Sequence, residues 1–111
     1  MLAKRFRFSV GRTGGQFKKI YSSPYFLLKS KRSDTGHNRF AVIISSNAVK
    51  KSVRRYFWKR QVVEHLRHWP NFKKDFLVMV SPRMEGADKK NVKPEFDAAL
   101  SYLIVADGHK P

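Results

Sequence analysis

RFAVIISSNAVKKSVRRYFWKRQVVEHLRHWPNFKKDFLVMV, residues 39–80, decides the fold. Arg39 to Ser45 is rich in β-branched residues and predicts a strand. Asp75 to Val80 is apolar after its first residue, as a strand covered on both faces would be. Between them, residues 48–68 run without Pro or Gly and predict a long helix, with Ser46 or Asn47 able to cap it. Trp69-Pro70-Asn71 stops that helix. The segment therefore reads strand, basic helix, strand.

Working outward, Tyr25 to Leu28 reads as another strand, and Ser30 to Asn38 as a polar loop. Two strand runs around such a loop predict an antiparallel hairpin. In Gln16 to Ser22, Phe17, Ile20 and Tyr21 fall at i, i+3 and i+4, which predicts a short helix ended by Pro24. Residues 1–13 are basic and read as irregular. On the C-terminal side, Pro82 to Asn91 reads as a loop. Pro94 suits the first turn of a closing helix that carries Phe96, Leu100 and Leu103. The expected architecture is α/β (α+β): a single-domain sandwich with a small, mostly antiparallel sheet packed with helices. The order is α-β-β-(β)-α-β-α, with room for one further short strand. Residues 1–111 form one RNA-binding domain in this reading, with an ordered core at about 4–106.

Charge points to the partner. The 111 residues hold 24 Lys and Arg against 8 Asp and Glu, a net charge of +16. Residues 1–74 contain 19 of those bases and 2 of the acids, so the excess sits in the first two thirds. A field of that size repels itself and is relieved by a polyanion. A membrane surface fits less well, because it calls for an amphipathic helix with a continuous apolar face. No apolar run approaches the ~20 residues needed to span a bilayer. The basic start, Met1 to Arg7, has no apolar segment behind it and predicts no secretory signal. With no cysteine there is no thiolate metal site and no disulfide framework. A hydrophobic share of 41% with nine Phe supports a real core.

The densest charge lies in Val49 to Arg60, with six bases in twelve residues. On a helix, Lys51, Arg55 and Lys59 follow one another at i, i+4, a row spaced for successive phosphates. A solvated helix face usually mixes signs, yet Glu64 is the sole acid between residues 35 and 74. Lys50, Lys51, Arg54, Arg55, Lys59 and Arg60 are the candidate RNA-backbone contacts.

These parts, in this order, resemble the bacterial ribonuclease P protein family over roughly residues 4–104. The resemblance rests on Phe17 and Tyr21, on Pro24-Tyr25-Phe26-Leu27-Leu28, and on Arg39 to Ser45. It rests also on the basic helix and on Asp75 to Val80. The family's Arg-Asn-Arg-x-Lys-Arg core falls with its first Arg on Arg55 and its Lys-Arg pair on Lys59 and Arg60. Its Asn and second Arg fall on Tyr56 and Phe57. A register one residue earlier instead puts Arg54 on the first Arg and Arg55 on the Asn. The resemblance implies a left-handed crossover around the basic helix, between the strands at 39–45 and 75–80. It implies a subunit that binds the catalytic RNA and the 5′ leader of precursor tRNA and assists endonucleolytic leader removal. Phe17 and Tyr21 match the aromatic pair lining the leader cleft, with Lys18, Lys19 and Lys29 supplying charge.

The residues themselves offer no protein-borne active site. His65 and His68 lie at i, i+3 beside Glu64, but a metal site normally needs more ligands. There is no phosphate-cradling Gly-rich loop and no nucleophile–base arrangement. The expected roles are therefore no catalytic residue, no metal held by the protein, and Mg2+ acting through the RNA holoenzyme. The expected partners are ribonuclease P RNA and precursor tRNA, with no membrane and no obligate protein partner, in the cytoplasm. Two other readings are a ribosomal or other structural RNA-binding protein and an autonomous nuclease.

Overall fold

The computed structural model describes residues 17–32 and 36–106. In chain order its elements are β1 (Lys18–Ser22), β2 (Phe26–Arg32), β3 (Arg39–Ile43), α1 (Ser52–Leu66), β4 (Lys74–Val80), a 3-10 helix (Pro82–Gly86) and α2 (Lys89–Ala106). The strands form one sheet ordered β1-β2-β4-β3. β4 runs antiparallel to β2 and parallel to β3, and β1 is antiparallel to β2. β4 takes an interior place because Phe76, Leu77 and Val78 are all buried, on both faces of the strand.

That placement overturns the expected hairpin between the strands at 25–28 and 39–45. β4 lies between them, and a strand apolar on both faces buries more surface there than at an edge. The hairpin that does form joins β1 to β2. Its turn is held by the Ser23 hydroxyl, which accepts the N–H groups of Tyr25 (3.0 Å) and Phe26 (3.2 Å).

β1 also replaces the helix expected at 16–22; Gln16 lies outside the described residues. Lys19 faces Lys29 but Tyr21 faces Leu28, so Ile20 is the extra residue of a bulge. The bulge breaks the alternation of the strand, and apolar positions 17, 20 and 21 then mimic a helical period. Seven residues are in any case short for a helix without tertiary support.

Both helices cover one face of the sheet, making two layers. α1 contributes Trp58, Val62 and Leu66, and α2 contributes Val92, Phe96, Ala99 and Leu103, each set at helical spacing. They meet Phe26, Leu28, Phe40, Phe76 and Val78 of the sheet, and the Phe26 and Phe96 rings stack at 4.2 Å. α1 starts at Ser52 rather than 48. Ser45 captures the Ala48 N–H with its hydroxyl (3.1 Å) and the Val49 N–H with its carbonyl (3.0 Å), closing a separate turn first. α2 starts before Pro94, at Lys89, because the Asp88 carboxylate accepts the Lys90 N–H (3.0 Å). Pro94 is thus inside the helix rather than in its first turn.

Candidate nucleic-acid interface

The lead-in to α1 is built by its own arginines. Arg55 Nη1 donates to the carbonyls of Val49 and Lys50, each at 2.9 Å. Arg54 Nη2 donates to the Glu85 carbonyl at 3.2 Å, and its guanidinium lies over Phe57 (5.3 Å) and Trp58 (5.7 Å). The Glu85 carboxylate accepts the Lys50 N–H at 2.6 Å, tying the 3-10 helix to the same lead-in. Of the six basic residues singled out in the sequence, Arg54 and Arg55 are half-buried and hold structure, whereas Lys50, Lys51, Lys59 and Arg60 are exposed. The row Lys51, Arg55, Lys59 therefore presents its two outer members, with the middle one turned onto the backbone.

The electrostatics of this end reinforce the lysines. α1 has no acidic residue in its first turn and no side-chain cap on its N-terminus. The unpaired N–H groups and the positive end of the helix dipole add to Lys50 and Lys51. Tyr56, not singled out among the sequence candidates, is 59% exposed on this face, with the Arg60 guanidinium 5.7 Å from its ring. The signal for it was an aromatic directly after Arg54-Arg55 and one turn before Arg60 within the basic run.

The four residues assigned to a leader cleft do not share one surface. The β1–β2 register sets Lys29 beside Lys19 on the face turned away from α1 and α2. Phe17 stands at that side too, with Lys31 Nζ 5.7 Å from its ring centre. Lys18 is opposite Ser30 and Tyr21 opposite Leu28, both on the helix-covered side. The Tyr21 hydroxyl donates to Glu95 Oε1 at 3.2 Å, and its ring lies 6.1 Å from Phe26 and 6.4 Å from Tyr102. Burial, and then the Glu95 charge, raise the Tyr21 pKa above the ordinary tyrosine value. Tyr21 is thus a latch between β1 and α2.

Between Lys31 and Arg39 on the outer face, Asp75 is fully buried beneath Arg39, which grips it at 2.8 and 2.6 Å, with Lys31 at 3.9 Å. His65 and His68 do not converge. His65 is half-buried and stacks on Phe96 at 5.0 Å, and burial lowers its pKa. His68 is exposed, 3.4 Å from Glu64. Among the described residues no three His, Asp or Glu side chains gather in a metal-ligating group. No helix among them is long and apolar enough to cross a membrane.

Comparison with known proteins bears on this geometry. The ribonuclease P family model matches residues 3–103. No curated protein matches the chain. The chain is similar in structure to the ribonuclease P protein of Thermotoga maritima, with a TM-score of 0.71 at 20% identity over 85% of this chain and 94% of that one. It is similar also to a Staphylococcus aureus ribonuclease P protein mutant with defective mRNA degradation activity, with a TM-score of 0.76 at 15% identity over 93% and 89%. At these identities the two structures speak for a shared fold.

Proposed function

From the premise that this chain belongs to the ribonuclease P protein family, as the protein subunit of that tRNA-processing complex, we propose how its surface serves the role. One RNA-binding domain uses the exposed cations before and along the first half of α1 to hold the ribonuclease P RNA. The carrying observation is that four cations are exposed along one stretch: Lys50 and Lys51 beside an uncapped helix N-terminus with no acid in its first turn, and Lys59 and Arg60 about two turns further along α1. Family membership favours this reading over a ribosomal or other structural RNA-binding protein.

The substrate is precursor tRNA. Its single-stranded 5′ leader passes over the outer sheet face, where Phe17 offers a stacking surface and Lys19, Lys29 and Lys31 offer charge. Lys18 lies on the other side of β1, off this path. Tyr21 acts there indirectly, by fixing β1 to α2.

The protein is the non-catalytic partner, and the RNA carries the hydrolytic centre with its Mg2+. A hard cation wants several oxygen ligands, and the buried carboxylate on the outer face, Asp75, is committed to Arg39. The protein's contribution is affinity and placement: cations offset the repulsion between two RNAs, and the strand face aligns the leader. The setting is the bacterial cytoplasm, where such RNAs meet.

The test is substrate discrimination by the complex assembled with a bacterial ribonuclease P RNA. The complex binds precursor tRNA more tightly than mature tRNA, and Phe17→Ala lowers affinity for the precursor by ~1–3 kcal/mol while sparing the mature form. Equal losses on both forms would remove Phe17 from the leader path. Equal affinities for both forms in the unaltered complex would remove the leader from the reading.

A further inference from the structure

A cavity of about 710 Å³ opens at the end of the sheet opposite the start of α1. Phe72 lies in its wall, and five cations surround it: Lys18 from β1, Lys31 and Arg32 from β2, and Lys73 and Lys74 at the entry to β4. No acid among the described residues lines it. Lys31 leans toward the buried Asp75, at 3.9 Å, and so is partly balanced. Lys18, Arg32 and Lys73 are exposed.

The charge is held in place rather than scattered. Asn38 is buried, and its Oδ1 accepts the N–H groups of Phe72 (2.9 Å) and Lys74 (3.3 Å) while its Nδ2 donates to the Pro70 carbonyl (2.7 Å). Asn71 accepts the Lys73 N–H at 3.0 Å and donates to the Gly36 carbonyl at 3.2 Å. Lys73 has φ +57°, a left-handed conformation that Gly or Asn adopts more readily than a long side chain. The fold thus fixes a lysine where an uncharged residue would be easier to place, on the rim of a cavity whose lining carries like charges.

We propose that this cavity is a second RNA-backbone site, which takes phosphates of the ribonuclease P RNA. The inference rests on the reading of the chain as that RNA's protein subunit. β2 separates the two sites, since Phe26 lies at the α1 end and Arg32 at the cavity end. Seven residues at ~3.3 Å each make that separation roughly 20 Å. One RNA segment cannot satisfy both ends within a single phosphate step, so the protein grips its RNA at two points and fixes its orientation.

The experiment uses the full chain and intact ribonuclease P RNA, with affinity measured across a salt series. The test variant combines Lys18→Gln, Arg32→Gln and Lys73→Asn, the last suited to the left-handed backbone. A control combines Arg67→Gln, Lys90→Gln and Lys93→Gln, which removes the same charge elsewhere. Thermal melts confirm that both fold. The test variant binds the RNA roughly ten- to a hundredfold more weakly near 0.15 M salt, and its salt slope falls by about 0.7–0.9 for each phosphate no longer neutralised. The control changes neither beyond about threefold. Affinity and slope equal to those of the control would overturn the proposal. So would a loss seen only for precursor tRNA binding to the assembled complex, because that places the substrate in the cavity. A variant of Lys50, Lys51, Lys59 and Arg60 in the same series separates the readings: if it weakens binding and the cavity variant does not, the second site alone fails. As a second measurement, the chain has no native cysteine, so Lys18→Cys can carry a single iron chelate. Backbone cleavage from that position falls on a different RNA segment from cleavage directed by Lys59→Cys; cleavage at the same nucleotides, or none, contradicts two separate grips.

Discussion

α1 and α2 pack side by side on the same sheet face, yet they treat charge in opposite ways. α2 carries Lys89, Lys90 and Lys93 beside Glu95 and Asp97, and Lys93 pairs with Asp97 at 3.0 Å. α1 reaches Glu64, in its last turn, before meeting an acid. Arg54 and Arg55 are spent on backbone carbonyls, and four cations, Lys50 and Lys51 just before the helix and Lys59 and Arg60 on it, remain exposed. Both helices contribute comparable apolar stripes, so the core does not require the difference. A mixed-sign face suits water, and a face of one sign suits a polyanion. The number of bases is therefore a poor guide to the interface; how many stand exposed with no acid beside them is a better one.

The contrast breaks most directly by neutralising each helix in turn. Changing Lys50, Lys51, Lys59 and Arg60 together to Ala weakens ribonuclease P RNA binding on the order of several hundredfold near 0.15 M salt, as removal of four phosphate-neutralising charges predicts. Stability changes little, because all four are exposed. Lys90→Gln with Lys93→Gln on α2 leaves affinity within about threefold. Equal losses for the two helices would reduce the account to bulk charge.

Each helix also shows an exposed tyrosine. Tyr56 stands among the α1 bases, whereas Tyr102 lies beside Tyr21 on α2. Tyr56→Ala lowers RNA affinity by ~1–3 kcal/mol with the salt slope unchanged, Tyr56→Phe restores it, and Tyr102→Ala has no effect on binding. A changed slope would mean that Arg60, which lies over the ring, carried the effect.

Arg55 sharpens the division between holding structure and holding RNA. Arg55→Lys loses the paired donation to Val49 and Lys50 and lowers stability by ~1–2 kcal/mol, read as a drop in Tm of several degrees. Its effect on RNA affinity is smaller than that of Lys59→Ala. The reverse order would return Arg55 to the RNA-contact row.

The smallest effect concerns the seam between the helices, where His65 of α1 stacks on Phe96 of α2. Burial depresses the His65 pKa below its unfolded value, so the unfolded chain binds the proton more readily. Stability from this contact is complete above about pH 6.5 and falls as pH drops through the unfolded and then the folded pKa. Asp97 and Glu64 oppose the shift, while Lys93 and His68 add to it. Melts between pH 7.5 and 5 show a shallower decline for His65→Phe than for the unaltered chain. Identical declines would remove His65 as the cause.

What could be read from sequence follows from how local its cause is. The strand at 75–80 and the basic helix were legible because hydrophobic runs and helical spacing are local signals. The start of α1 was less so: Ser45, a residue before the candidate caps, closes its own turn and delays the helix to Ser52. β1 was misread because a bulge at Ile20 imitates a helical period. The bulge sends Tyr21 to α2 rather than beside Phe17. The pairing order was not local at all: nothing in residues 25–45 shows that β4 will enter between β2 and β3. The charge of α1 was visible, but which arginines were already engaged depended on carbonyls at Val49, Lys50 and Glu85. The basic cavity was hidden for the same reason, as Lys18, Arg32 and Lys73 meet only through the sheet.

The most direct test is leader removal from precursor tRNA by a bacterial ribonuclease P RNA, at a Mg2+ concentration where that RNA alone is slow. The unaltered protein accelerates release of the 5′ leader, and the Lys50, Lys51, Lys59 and Arg60 variant does so far less at the same concentration. Absence of acceleration by the unaltered protein, or leader removal by the protein with the RNA left out, would contradict the account.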